Sequence, residues 1–183
     1  SSMVYSIKHL KNPLLKHDTY AIEFANTGML FGILRILSGS LWAKFTWGAF
    51  WTNDAKLNGA AIALLIYAAY FILRGSFNDE QQRSRVSAIY NIFAYATLIP
   101  LLFVLPRMTD SLHPGNGVNP GFNIYDAASQ LRSIFYPAVI GWTLIGVWLT
   151  SLRIRLHIIK QKHNESLEEN MLRDRGHAMA ERP

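Results

Sequence analysis

Four long stretches almost free of charge constrain this chain more than any other feature. They run from Phe24 to Ala43, Leu57 to Leu73, Val86 to Leu105 and Ile134 to Leu152. About 20 apolar residues, rising about 1.5 Å each in a helix, cross a hydrocarbon core of about 30 Å. Three stretches meet that length; the second is slightly short but within the usual range. In lipid the backbone must satisfy its own hydrogen bonds, so each stretch is predicted to be helical. None has the polar face that a soluble bundle helix turns to water. Gly28, Gly32 and Gly39 in the first stretch, and Gly141 and Gly146 in the last, let membrane helices approach closely. The expected fold class is all-α: a polytopic membrane helix bundle with four full transmembrane helices. The opening SSMVYSIKHL reads as the last turns, or remnant, of a further N-terminal helix, so the chain is expected to be N-terminally truncated. No charged start with an apolar run and a small-residue cleavage site is visible, so no signal peptide is expected.

Charge supplies the orientation. Only 16% of the residues are charged, against about a quarter in a typical soluble domain. The net charge of +6 would suit a nucleic-acid partner, but the basic residues sit beside the apolar stretches, where topology explains them. No nucleic acid is expected; the lipid bilayer is. Lys8, Lys11, Lys16, Arg74, Arg83, Arg85 and the Lys and Arg residues from Arg153 onward fall on one side. Lys44, Lys56, Arg107 and Arg132 fall on the other. The richer side should be cytoplasmic. Both termini are then inside, and the loops at 44–56 and 106–133 are outside. The expected organisation is a membrane domain over 1–163 and a disordered cytoplasmic tail over 164–183.

The chain has no cysteine, which excludes disulfides, zinc–thiolate sites and covalent haem attachment through CxxCH. No Walker loop, HExxH, GxSxG or GxGxxG is present, so a hydrolase, an ATPase or a dinucleotide enzyme is unsupported.

The first outer loop, WGAFWTND over Trp47 to Asp54, is aromatic. Tryptophans at a membrane interface often form a simple belt, which accounts for Trp42. Trp47 and Trp51 are four apart with Phe50 between them, so a short interfacial helix would put all three on one face. That surface suits a flat apolar macrocycle. The second outer loop is long and turn-rich, and it carries His113 followed by Pro114 and Gly115. Imidazole ligates haem iron and other metals, but an ordinary loop histidine needs no ligand; both readings stand at this point. Arg35 lies inside the first span, where a charge is costly. It could neutralise a ligand carboxylate or reach into a cavity or the bundle interior. Glu23, at the inner edge, calls for no special account. His9, His17, His157, His163 and His177 fall on the inner side, away from the aromatic loop.

WGAFWTNDAKLNGAAIALLIYAAYFILR followed by VSAIYNIFAYATLIPLLFVLPRMTDSLHPG resembles the haem exporter protein C family of cytochrome c maturation, within a wider tryptophan-rich haem-handling superfamily. FYPAVIGWTLIGVWLTSLRIR is similar to that family's last helix. The resemblance covers about Val4 to Lys162. It implies non-covalent haem b held at the outer surface of the bacterial cytoplasmic membrane by the tryptophan-rich loop and two flanking histidines. The haem would pass to a membrane-anchored haem chaperone, alongside ABC-type transporter subunits and a small membrane accessory subunit. Trp47, Gly48, Trp51 and Asp54 match the family motif, with Phe50 joining them on the aromatic face. His113 matches the downstream histidine, the implied axial ligand of the haem iron. Asn53 stands where many relatives have a further tryptophan. The family's upstream outer histidine falls before Ser1, and neither His9 nor His17 replaces it, because both are predicted to be cytoplasmic.

The expected function is therefore haem binding and delivery with no bond-making chemistry of its own, so not an enzyme. Two alternatives are a cytochrome c synthase component of the same superfamily and a membrane transport or scaffold subunit without a ligand.

Overall fold

The computed structural model describes residues 1–109 and 129–180, and the regular structure among them is all-helical. The helices are α1 (Ser2–Lys11), α2 (Leu15–Trp47), α3 (Ala55–Gly75), α4 (Glu80–Ile99), a π-helical stretch (Pro100–Val104), α5 (Leu105–Met108) and α6 (Ser129–Ala180). Four helical segments are long and apolar enough to cross a membrane: Leu15–Trp47, Ala55–Gly75, Glu80–Val104 and Arg132–Arg173. These correspond to the four predicted spans. The short α1 stands where the remnant helix was expected.

Local chemistry explains the boundaries. Asn12 precedes Pro13, whose ring disfavours helical backbone in the residue before it. Asn12 is extended and α1 stops at Lys11. Asp79 caps α4, its carboxylate accepting from the backbone N–H of Gln82 at 2.7 Å. Pro100 has no N–H to give, and its ring would collide with the carbonyl four residues back. The helix widens there into the π-helical turn, a common accommodation of such a misfit. Gly59 of α3 packs against that turn so closely that a Cβ would lie 2.7 Å from the carbonyl oxygen of Leu101. Only a residue without a side chain fits.

Two helices run further than their apolar stretches. α2 begins at Leu15, well before Phe24, because Asp18 and Glu23 in its first turns find partners on other helices. α6 continues through Ala180, across the stretch read as a tail, and residues 164–173 of it are exposed.

α1 packs against α2 and α4, α3 against α2 and α4, and α6, among the described residues, against α2 alone. The core forms around Tyr70 with Ile22 and Ala25, flanked by Tyr67, Phe71 and Tyr90. Polar ties concentrate at the end of the bundle rich in basic residues, called here the basic end. Arg74 at the end of α3 makes a two-pronged bond to Asp18 of α2, with Nη1 to Oδ1 at 2.8 Å and Nη2 to Oδ2. Glu23 of α2, only 5% exposed, accepts from Arg153 Nε at 2.6 Å and from the His157 ring at 3.1 Å, both on α6. Deeper in the same seam, Thr150 donates to Thr27 at 2.9 Å. Asn91 of α4 donates to Ser2 at 2.6 Å and Ser6 at 2.8 Å, fixing α1. Glu23 thus clamps α2 to α6, a role that its position at a span edge did not reveal.

Candidate functional site

The opposite end of the bundle carries the aromatic loop. α2 stops at Trp47 because Gly48 takes the left-handed conformation, with φ of 79°, which residues with a Cβ rarely adopt. Its N–H closes the helix on the Lys44 carbonyl at 3.1 Å. The Lys44 ammonium reaches over the turn to the Gly48 carbonyl at 2.9 Å and lies 5.5 Å from the centre of the Phe50 ring. The chain then bends through Phe50 and runs without helix to Asp54.

Asp54 is 2% exposed and caps α3. Its carboxylate accepts from the backbone N–H groups of Lys56 at 2.9 Å and Leu57 at 3.3 Å. An anion there also faces the positive end of the helix dipole. The Trp51 indole donates to Asn58 at 3.3 Å, and Asn58 donates to Asn53 at 2.7 Å. Trp47 packs edge-to-face on Trp42, with ring centroids 5.0 Å apart.

The loop therefore divides its labour. Gly48 and Asp54 shape the backbone at its two ends. Lys44, Asn53 and Asn58 pin the middle. The rings are left outward: Phe45 is 82% exposed, Phe50 58% and Trp51 44%. One expectation is corrected here. Trp47 and Trp51 do not share the face of a short helix, because Gly48 ends the helix between them. They lie on either side of a turn instead.

His113 lies outside the described residues, so the structure does not bring it to the loop or separate it from the loop. Among the described residues no cluster of three or more His, Cys, Asp or Glu side chains could hold a metal ion. The other described histidines near the N-terminus serve the backbone. His9 bonds the Leu14 carbonyl at 3.1 Å and His17 the Asn12 carbonyl at 3.2 Å, fastening the α1–α2 turn. His17 and Trp47 are thirty residues apart on one continuous helix, roughly 45 Å at 1.5 Å per residue. Neither N-terminal histidine can reach the aromatic loop.

Arg35, the charge within the first span, lines a mostly apolar cavity of about 440 Å³ between α1, α2, α3, α4 with its π-helical stretch, and α6. The residues that sequence reasoning passed over are Asp18 and Glu23. Their signal was available: each is an acid near one end of a span, and Arg74 and Arg153 sit at the same end of two others.

The family model described as Heme exporter protein C matches residues 3–169. This chain belongs to that family. Heme exporter protein C of Haemophilus influenzae is 25% identical over 140 residues, covering 76% of this chain and 56% of that one. The Escherichia coli K12 protein of the same name is 24% identical over 155 residues, covering 81% and 59%. Cytochrome c biogenesis protein CcsA of Pelargonium hortorum is 35% identical over 89 residues, covering 48% and 28%. The matched region spans less than two thirds of the length of these haem exporter relatives. Membership and the four apolar helices together make this a multi-pass membrane protein.

Proposed function

We propose that this member of the haem exporter protein C family binds haem b non-covalently on the aromatic loop and hands it to a haem chaperone during cytochrome c maturation. The observation that supports this best is a loop pinned at both ends and in the middle that still turns Phe45, Phe50 and Trp51 outward. Exposed aromatic area held on a fixed backbone suits a flat, apolar, exchangeable cargo, because little ordering cost opposes binding. Trp47, Phe50 and Trp51 form the platform, Gly48 and Asp54 fix its shape, and His113 supplies an axial ligand to the iron. The Lys44 ammonium beside Phe50 provides a cation for a haem propionate.

In this reading the loop faces outward from a bacterial cytoplasmic membrane and both termini are inside, as the distribution of Lys and Arg favours. The protein makes and breaks no covalent bond; it positions the cofactor for a partner. The ABC-type transporter subunits and a small accessory subunit act with it in the maturation assembly.

The test is the haem absorbance spectrum of the purified full-length protein. His113→Ala should shift or abolish the bands of ligated iron, and Trp51→Ala should weaken haem retention. Identical spectra and retention in all three proteins would sink the assignment. The likeness to a CcsA protein keeps a synthase component as the second reading. Co-purification separates the two: a haem chaperone fits delivery, and an apocytochrome fits synthesis.

A further inference from the structure

Arg35 sits partway along α2, twelve residues from Trp47 and so roughly 18 Å below the aromatic loop at 1.5 Å per residue. Among the described residues its guanidinium has no ion pair and no side-chain hydrogen bond. The acids nearest along the helix are engaged elsewhere, Asp18 with Arg74 and Glu23 with Arg153 and His157. A cation within a span normally faces a cavity or a partner. Arg35 is exposed and lines an open cavity of about 440 Å³, mostly apolar, whose lining also includes Tyr67, Tyr95, Thr143 and the first residues of the chain, Ser1, Ser2 and Met3. That volume falls in the range of small-molecule sites, about 300–1,000 Å³.

Charge and depth narrow the occupant. A guanidinium fork matches a carboxylate with two parallel hydrogen bonds. Phospholipid phosphates stay at headgroup level, about 15 Å from the middle of the bilayer, whereas Arg35 lies well inside its span. The fitting ligand carries a carboxylate on an apolar body that can enter the hydrocarbon layer. A porphyrin with propionate side chains has that chemistry.

We infer that the Arg35 cavity is a second, intramembrane site that holds the porphyrin carboxylate before the macrocycle reaches the aromatic loop. The inference rests on the haem-handling reading above. No histidine lines the cavity among the described residues, so the site recognises the acid and the ring, not the iron.

The experiment uses the full-length protein in lipid nanodiscs, titrated with metal-free protoporphyrin and with its neutral dimethyl ester. The diacid should bind about tenfold or more tighter than the ester, the scale of one charge-assisted contact. Arg35→Gln should erase that preference, Arg35→Lys should keep part of it, and His113→Ala should leave it intact. Equal binding of acid and ester overturns the inference. So does a preference that survives Arg35→Gln, which would put the acid on Lys44 or Lys56, and so does competition by a further segment of the chain that crosslinks to Arg35. Failure of the loop reading looks different: iron bands insensitive to His113→Ala with the Arg35-dependent acid preference still present.

Discussion

At the basic end of the bundle Asp18 and Glu23, and nearer its middle Asn91, each tie one helix to another through side-chain bonds. At the aromatic end Lys44, Trp51, Asn53 and Asn58 bond within the loop and the helix ends that flank it. The first arrangement holds separate helices together; the second holds one loop in shape. The difference teaches where to look for exchange of a ligand. A surface that must receive and release a flat cargo gains from rigid backbone and free rings, while the far end supplies the cohesion.

The largest effect should come from the basic end. Removing one partner of a fully buried ion pair leaves the other charge unpaired and costs about 3–5 kcal/mol, and less where the pair, like Asp18 and Arg74, is only partly buried. Asp18→Ala strands Arg74, so the unfolding midpoint in detergent should fall sharply. The double variant Asp18→Asn with Arg74→Gln should recover much of the loss, since neither group is then charged. Equal stability of Asp18→Ala and the native chain would break the contrast between the ends.

A smaller effect is expected at the hinge between loop and helix. Asp54→Ala removes the cap of α3, about 0.5–2 kcal/mol. Asp54→Asn keeps an accepting oxygen and should fall between the two. Haem retention should drop more than stability does, because the cap also sets the direction in which the chain leaves Trp51. Hydrogen exchange at Lys56 and Leu57 reads the cap directly: it should speed up in the alanine variant.

Much of this was legible beforehand, and the reasons differ by region. The four spans could be read because lipid admits few folds and the chain writes apolar length openly from Phe24 to Leu152. The aromatic loop could be located because Gly48 and Asp54 are residue types that end and begin helices. The arrangement of its rings could not. A spacing of four implies a shared face only if the helix continues, and Gly48 stops it. Glu23 was passed over for a related reason. Sequence shows an acid at a span edge, but its partners Arg153 and His157 lie more than a hundred residues away and meet it only through the packing of α6 on α2. Likewise Arg35 announced itself as a costly charge, while the cavity beside it arises from five helices at once.

The smallest stability effect, and the sharpest test of the contrast, belongs to Phe50. Its ring is 58% exposed and its identified partner is the Lys44 ammonium at 5.5 Å. An exposed cation–π contact contributes about 0.5–1 kcal/mol, so Phe50→Ala should barely move the unfolding midpoint. A haem laid on that ring would cover its remaining apolar surface. Burial of a Phe side chain is worth about 1.5–3 kcal/mol, and roughly half of that corresponds to an affinity loss of about three- to tenfold. Haem dissociation measured beside thermal unfolding should therefore separate the two quantities in Phe50→Ala and leave them joined in Asp18→Ala. If Phe50→Ala instead unfolds as readily as Asp18→Ala, the ring is a structural part of the loop, and the aromatic end is held together by the very surface assigned to the cargo.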